Sequence, residues 1–255
     1  MDSISGFIDA VGNTPLIKLK RASELTGCNI YGKAEFLNPG GSVKDRAAKY
    51  MLLSALQSNL IEPGGLVIEG TAGNTGIGLA LCGRSLDIRT HIYMPDTQSD
   101  EKKRILKISG ANLFEIPAVP FSNPNHYVHT AERAAIEAKN NQNHGVFYAN
   151  QWDNLANREG HASSTGPEIW SQTNEKIDGF ICAIGTGGTV TGVGDFLKNK
   201  NKAKFLYNKE FVRMWECYLS MCSAAFKFKD LVVYQLQLVK NFTAPPSNRR
   251  NYIYQ

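Results

Sequence analysis

Glycine-rich turns between strand-like and helix-like runs most limit how this chain can fold. As far as about residue 197, short apolar runs alternate with runs in which apolar residues recur every three to four positions. Strands that alternate with helices of roughly 10–15 residues are typical of right-handed βαβ units. Such units build a parallel sheet that is covered by helices on both faces. The sequence therefore predicts an α/β fold whose chemistry lies at the carboxyl ends of strands, where helices begin.

The predicted elements follow from these two periodicities. The strands are expected at Ile30–Phe36, Leu66–Glu69, Thr90–Met94, Asn112–Ile116, Val146–Asn150 and Gly179–Ala183. The helices are expected at Val43–Ser58, Thr75–Arg84, Asp100–Ser109, His126–Lys139, Asn157–Ser171 and Val190–Lys198.

Glycine and charge divide the chain in two. All 23 glycines lie at or before Gly194, and residues 205–255 hold seven basic and three acidic side chains of a chain whose net charge is +5. We therefore expect a seam near residues 198–205, followed by a divergent tail. The remainder is nearly neutral and offers no basic patch for nucleic acid.

Several classes of protein are excluded by the rest of the composition. No apolar run approaches the roughly 18 residues that a membrane span needs. The five cysteines form no CxxC pair, and the five histidines show no metal-ligand spacing, so we expect free thiols and no metal site. The first residues carry neither a basic nor an apolar leader, which predicts a cytoplasmic protein, with mitochondrial association as the alternative.

A turn before the first long predicted helix carries the first chemical motif, NPGGSVKDR at Asn38–Arg46. Proline and two glycines predict a tight turn, Ser42 suits the N-cap, and Asp45 suits the acidic position of a capping box. Lys44 then lies in the first helical turn, where the positive end of the helix dipole favours the neutral amine that a nucleophile requires. The alternative is a solvated lysine beside a capped helix.

A second motif, EGTAGNTGIG at Glu69–Gly78, follows the predicted strand LVIE. Its small residues let a ligand approach the backbone, and the free N–H groups of the helix start can bind a carboxylate. The alternative is a tight strand-to-helix turn without a ligand.

The third motif, GTGGT at Gly185–Thr189, also precedes a predicted helix. A glycine-rich backbone with two hydroxyls at a helix N-terminus forms a cradle for a phosphate dianion. No Gly-Lys-Ser/Thr follows, which argues against a nucleoside-triphosphate loop. Further amides end a predicted strand at Asn150–Asn154, whereas the proline and tryptophan of Thr165–Trp170 indicate a packed kink.

A reactive amine, a carboxylate site and a phosphate cradle are what pyridoxal phosphate needs to process an amino acid. In five separate motifs the sequence closely resembles the cysteine synthases (O-acetylserine sulfhydrylases), which are related to cystathionine β-synthase. The motifs are VGNTPL (11–16), NPGGSVKDR (38–46), TAGNTGIGLA (71–80), TGPEIW (165–170) and GTGGT (185–189). The resemblance covers about residues 4–204 and implies the two-domain fold type II of the tryptophan synthase β class, with pyridoxal 5'-phosphate between the domains.

The resemblance also implies roles for individual residues. Lys44 would hold the cofactor as a Schiff base and move the substrate α-proton, and Asn74 would contact the ring hydroxyl. The residues that would hold the cofactor phosphate are Gly185, Thr186, Gly187, Gly188 and Thr189. Those that would bind the substrate carboxylate are Thr71, Gly73 and Thr75, with Gln151 assisting. Ala72 replaces the serine of well-known members.

The reaction implied is β-replacement of O-acetyl-L-serine by sulfide, which gives L-cysteine and acetate, in a homodimer. The smaller domain would comprise residues 1–13 and 37–150, and the larger, incomplete domain residues 14–36 and 151–204, before the tail at 205–255. Two alternatives stay open: a β-replacement like that of cystathionine β-synthase, and a non-catalytic, truncated homologue.

Overall fold

A computed structural model describes residue 4 and residues 6–200, all within one compact unit, Met1–Arg213. The tail predicted at residues 205–255 lies outside the described residues. The described strands are β1 (Leu16–Lys18), β2 (Tyr31–Lys33), β3 (Leu66–Gly70), β4 (Arg89–Pro95), β5 (Asn112–Ile116) and β6 (Val146–Tyr148). The described α-helices are α1 (Lys20–Thr26), α2 (Lys44–Gln57), α3 (Asn74–Ser85), α4 (Asp100–Ile108), α5 (Tyr127–Ala138), α6 (Leu155–Gly160), α7 (Gly166–Gln172) and α8 (Gly188–Asn199).

The main sheet has four parallel strands in the order β5-β4-β3-β6. Central strand β3 pairs with β4 from Leu66 opposite Arg89 and with β6 from Leu66 opposite Val146. All five residues of β3 are buried. A strand covered on both faces needs a near-continuous apolar run, which is what LVIEG supplies apart from its single acid.

Two cores lie on the two faces of this sheet. On one face, Val67 and Ile92 pack with Met51 and Leu52 of α2 and with Leu79 of α3. On the other face, the remaining apolar side chains of β3 and β6 pack with alanines of α5. Burying each large aliphatic side chain contributes about 1.5–3 kcal/mol. The predicted α/β fold with a parallel sheet between helices is confirmed.

The structure differs from the predicted elements in residues 14–36 and 179–183. Strand β1 and helix α1 were not predicted, and the strand predicted at Ile30–Phe36 shortens to β2, which pairs antiparallel with β1. The strand predicted at Gly179–Ala183 is wrong, because no described strand lies beside it to pair with its backbone, and Ile181 is 97% exposed.

The helix predicted at Asn157–Ser171 is divided. A π-helical turn at His161–Thr165 separates α6 from α7, and Pro167, which has no N–H to donate, is the second residue of α7. Trp170 is buried against α8. The proline and tryptophan therefore mark an irregular, packed stretch, as their placement in the sequence indicates.

Candidate functional site

The site lies where the strand order of the sheet reverses. The chain runs from β3 outward through β4 to β5 and then returns to the other side of β3 to form β6. Ligands of open α/β sheets bind at such a switch point, outside the carboxyl ends of the strands. At these ends lie Thr71–Thr75, after β3, and Asn150–Gln151, after β6.

The turn before α2 differs in detail from its prediction. Helix α2 begins at Lys44 with Val43 at its N-cap, so the assignment of Ser42 to the N-cap is wrong by one residue. The Ser42 hydroxyl instead accepts a hydrogen bond from the Lys44 N–H at 3.2 Å. The Asp45 carboxylate accepts one from the Gly40 N–H and thereby ties the glycine turn to the helix. Burial raises the pKa of Asp45 to about 6.

Lys44 lies in the first turn of α2, as predicted, with its amine in a half-buried position. Its Nζ donates a hydrogen bond to Thr186 Oγ1 at 3.3 Å. Burial lowers the pKa of Lys44, and the negative charge of ionised Glu69 opposes that shift. Burial therefore shifts the pKa of Lys44 in the same direction as the helix dipole.

The phosphate-cradle motif forms an open turn at the start of α8. Gly187 has φ +83°, in the left-handed region that glycine adopts without strain, and α8 begins at Gly188. The space that a Cβ would take at Gly185 and at Gly187 is free of other atoms to 4 Å. A Cβ at Gly188 would collide with the Asn157 amide, so this glycine fixes the packing of α8 on α6. The turn leaves room for a ligand beside its free N–H groups.

Two buried side chains that the sequence did not single out hold the hydroxyls of this turn. Asn157 Nδ2 donates a hydrogen bond to Thr186 Oγ1 at 2.9 Å. His161 lies between Thr165 Oγ1, at 2.8 Å from its Nδ1, and Thr189 Oγ1, at 3.1 Å from its Nε2. Burial and the nearby Arg46 charge lower the pKa of His161 to about 4, so its ring is neutral at pH 7.

The carboxylate motif forms the start of α3. Thr71 and Thr75 are buried, whereas Asn74, the first residue of α3, is exposed. The Thr71 hydroxyl accepts a hydrogen bond from the Gly73 N–H at 3.4 Å. Thr75 Oγ1 donates to Gln151 Oε1 at 2.6 Å. Two of the elements predicted to bind a substrate carboxylate are therefore joined directly.

Glu69 is a site residue whose role the sequence did not reveal. It is 1% exposed at the end of β3, and the backbone N–H groups of Asn150 and Gln151 and the Gln151 side chain are its hydrogen-bond partners. Burial outweighs these bonds and raises the pKa of Glu69 to about 8. The available signal is one acid in an otherwise apolar, fully buried strand.

One hydrogen-bonded group joins the predicted site residues. Asn157 Nδ2 donates both to the backbone oxygen of Gln151, at 3.2 Å, and to Thr186. The structure therefore connects Lys44, through Thr186 and Asn157, to Gln151 and on to Thr75. Among the residues that the structure describes, Asn74 and Gly185 are exposed and make no hydrogen bond to this group.

A separate ion cluster is centred on Arg46, in the first turn of α2. Arg46, 1% exposed, forms ion pairs of 2.7 Å with Glu35 and with Glu168, and Lys33 pairs with Glu168 at 2.6 Å. Burial opposes ionisation of Glu168, but hydrogen bonds from Arg46 and Lys33 outweigh it and lower the pKa of Glu168 to about 2. The cluster fastens the Asn38–Arg46 motif to α7.

Two kinds of feature are missing from residues 4 and 6–200. No group of three or more His, Cys, Asp or Glu side chains there is arranged to hold a metal ion. No helix in the same residues is long and apolar enough to cross a membrane.

Comparison with known proteins gives consistent relatives. The family described as "Pyridoxal-phosphate dependent enzyme" matches residues 8–215. Cysteine synthase 1 of Neurospora crassa is 54% identical over 193 residues, which are 76% of this chain and 50% of the relative. Cysteine synthase of Dictyostelium discoideum is 45% identical over 197 residues, which are 77% of this chain and 51% of the relative.

Among solved structures, cysteine synthase (OASS) from Entamoeba histolytica is similar, with a TM-score of 0.68 and 34% sequence identity. The match covers 79% of this chain and 59% of that structure. The chain spans about half the length of the curated relatives that it matches.

Proposed function

Since the chain belongs to the family of pyridoxal-phosphate dependent enzymes, we propose that it carries the site of a cysteine synthase. The reaction is replacement of the acetate group of O-acetyl-L-serine by sulfide, which gives L-cysteine and acetate. The observation that carries the proposal is the bonded group that joins Lys44 to Thr186 and, through Asn157 and Gln151, to Thr75. The relatives named cysteine synthase support the same choice of reaction.

The residues present fit pyridoxal phosphate. The start of α8 offers free N–H groups, and the open side of Gly185 and Gly187 leaves room for a phosphate there. Lys44 Nζ lies 3.3 Å from Thr186 Oγ1, so the amine that would attach the cofactor and the turn that would hold its phosphate lie beside each other. When bound, the cofactor supplies the electron sink for cleavage at the substrate α-carbon.

The side chains of the chain divide the remaining work. The phosphate is assigned to Gly185, Thr186, Gly187, Gly188 and Thr189. Asn74 is assigned to the ring hydroxyl. Lys44 Nζ, whose neutral form burial favours, attaches the cofactor and accepts the proton from the substrate α-carbon.

The substrate carboxylate is assigned to the start of α3. Thr71, Gly73 and Thr75 lie at the positive end of the α3 dipole, and Gln151 holds the Thr75 hydroxyl in place. A carboxylate in this position accepts hydrogen bonds from the first N–H groups of the helix. At the β-carbon, sulfide would replace the departing acetate, and Lys44 would return a proton to the α-carbon, which completes L-cysteine.

Four finer points belong to the same proposal. The division into residues 1–13 with 37–150 and residues 14–36 with 151–204, the homodimer, sulfide as second substrate and the cytoplasmic location are predictions from the sequence. Sedimentation of the purified chain tests the dimer, and cell fractionation tests the location against the mitochondrial alternative.

The decisive experiment uses the full 255-residue chain with added pyridoxal phosphate. We expect absorbance at about 410–420 nm from bound cofactor. Borohydride reduction should then place the cofactor on Lys44 by mass spectrometry. Lys44→Ala should abolish both signals, and Lys102→Ala, an exposed lysine of α4, should leave them unchanged.

Turnover separates the alternatives. Formation of cysteine from O-acetyl-L-serine and sulfide supports the proposal, whereas faster use of homocysteine would favour the cystathionine β-synthase-like reaction. Bound cofactor without turnover of either would identify a non-catalytic homologue. Absence of both absorbance and Lys44 labelling would show that the site assignment is wrong.

A further inference from the structure

A buried carboxyl group lies beside the proposed substrate site. Glu69 is the acid of the central strand β3, with side chain and backbone together 1% exposed. Its Oε2 is buried and has no hydrogen-bond partner among the described residues. A buried polar atom without a partner is costly, so its presence in a central strand calls for an explanation.

The other contacts of Glu69 lead to one residue. The Gln151 backbone N–H and the Gln151 side chain both hydrogen-bond to the carboxyl, together with the Asn150 backbone N–H. Gln151 Oε1 is already occupied by the Thr75 hydroxyl at 2.6 Å. The side-chain amide of Gln151 must therefore turn its N–H₂ group toward Glu69 and its oxygen toward Thr75.

We propose that Glu69 is a positioning residue, whose buried carboxyl fixes the side-chain amide of Gln151 and, through that amide, the hydroxyl of Thr75. A reversed amide would present two donors to the Thr75 hydroxyl and an oxygen to the Glu69 oxygens. Thr75 would then lose the acceptor that fixes its hydroxyl at the start of α3. The inference rests on the proposed function, since the substrate carboxylate is assigned there to Thr75 and Gln151.

The state of the carboxyl explains why a charged residue type is tolerated in the sheet. Burial raises the pKa of Glu69 to about 8, so the group is mostly uncharged at pH 7 and does not repel a substrate carboxylate. The titratable groups that interact with it are Lys44 from α2, Tyr127 from α5 and Tyr148 from β6. Burial raises the pKa of both tyrosines, and the negative charge of ionised Glu69 adds to each shift, so both stay neutral where Glu69 titrates.

The test compares two replacements of similar size in the full chain. Glu69→Gln keeps an uncharged group with an acceptor oxygen, and Glu69→Met removes the acceptor. At pH 7 we expect Glu69→Met to raise KM for O-acetyl-L-serine about tenfold with kcat little changed, the size expected for one lost hydrogen bond to uniform binding. Glu69→Gln should stay within about twofold of the parent chain, as should the control Glu132→Met, an exposed acid of α5.

A second measurement, made on the parent chain and on both variants, does not depend on turnover. In the cofactor-free chain, NMR of the Gln151 side-chain amide should show slow proton exchange in the parent and in Glu69→Gln, and exchange at least about tenfold faster where the acceptor is lost. Above pH 8 the parent should bind substrate more weakly as Glu69 ionises, while Glu69→Gln should show no such step. Lys44 titrates in both chains, so their difference reports Glu69.

The outcomes separate this inference from the proposed function. If the Gln151 side-chain amide exchanges its protons equally fast with and without the Glu69 acceptor, the positioning role is wrong even in an active enzyme. Equal damage from Glu69→Gln and Glu69→Met at pH 7 would overturn it as well, because it would show that charge rather than acceptance matters. A protected amide in a chain that never binds pyridoxal phosphate would support the inference and reject the function.

Discussion

Two acids, the half-buried Glu168 and the fully buried Glu69, have pKa values that are shifted in opposite directions. Glu168 receives hydrogen bonds from Arg46 and Lys33 and from the Asn13 N–H, and its pKa falls to about 2. Glu69 has amide partners and no ion pair among the described residues, and its pKa rises to about 8. The first acid is ionised and fully partnered, and the second is mostly neutral and leaves one oxygen free.

The difference separates the scaffold from the site. Around Glu168, charges are matched, and the cluster ties β2, α2 and α7 together. Around Glu69 and Lys44, burial disfavours both charges. It therefore raises the pKa of Glu69 and lowers the pKa of Lys44. Displaced pKa values in a group of connected polar residues are typical of catalytic sites, whereas matched ion pairs are typical of structural ones.

The largest predicted effect comes from deleting a cation in each region. Arg46→Met leaves Glu35 and Glu168 partly without their partner, and we expect the free energy of unfolding to fall by about 3–5 kcal/mol. Lys44→Met removes an amine whose charge burial disfavours, and we expect a change of less than about 1 kcal/mol. Urea denaturation of both full-length variants measures the contrast.

For cofactor binding, unlike stability, we expect the larger loss in Lys44→Met and the smaller in Arg46→Met. Lys44→Met should prevent labelling by pyridoxal phosphate and borohydride, whereas Arg46→Met should retain it at a temperature where the variant is still folded. Equal losses of stability in the two variants would mean that Lys44 belongs to the scaffold, against the division drawn here.

The next predicted effect concerns how stability depends on pH, which should have opposite signs for Glu168 and Glu69. The pKa of Glu168 is depressed, so its contribution to stability is present above pH 4.5 and is lost as the pH falls toward 2. The pKa of Glu69 is raised, so the unfolded chain binds fewer protons than the folded chain between pH 4.5 and 8. Its presence therefore lowers stability as the pH rises through that window.

Unfolding of the parent chain, Glu168→Gln and Glu69→Gln across pH 2–8 would show both trends. The parent should lose its advantage over Glu168→Gln toward acid, by about 1–2 kcal/mol after allowance for partial exposure. It should lose stability relative to Glu69→Gln toward pH 8. Parallel curves for the two variants would contradict the assignment of opposite ionisation states.

The sequence predicts the local parts of this architecture well. The buried face of α2 and the buried strand β3 follow from periodicity and from turn residues that lie next to each other in the chain, and the start of α2 is predicted to within one residue. The β1–β2 pair does not, because each strand has only three residues and its pairing joins segments across α1. The run Gly179–Ala183 has a strand-like composition, but composition cannot supply the neighbouring strand that a sheet requires.

The site divides in the same way. Glycine motifs predict Lys44, Thr75 and the Gly185–Thr189 turn as site residues, because the chemistry of these motifs is local. Asn157, which joins the motifs, and Glu69, which is fixed by residues some eighty positions later, depend on contacts between distant segments. A single acid in an apolar strand is a visible signal for Glu69, but its meaning depends on which side chains the fold brings to it.

The smallest predicted effect concerns two glycines, one in each region. Gly160 of α6 packs on the Tyr50 ring, so Gly160→Ala should cost about 1–3 kcal/mol of stability by overpacking. Gly185 faces open space, so Gly185→Ala should change stability by less than about 0.5 kcal/mol. If that space holds the cofactor phosphate, the added methyl group should instead weaken pyridoxal phosphate binding several-fold, measured by absorbance titration, while Gly160→Ala leaves it unchanged. Tight binding of pyridoxal phosphate to Gly185→Ala would indicate that the phosphate lies elsewhere. At Gly160 the added methyl group collides with the protein itself. At Gly185 it can collide only with a bound ligand.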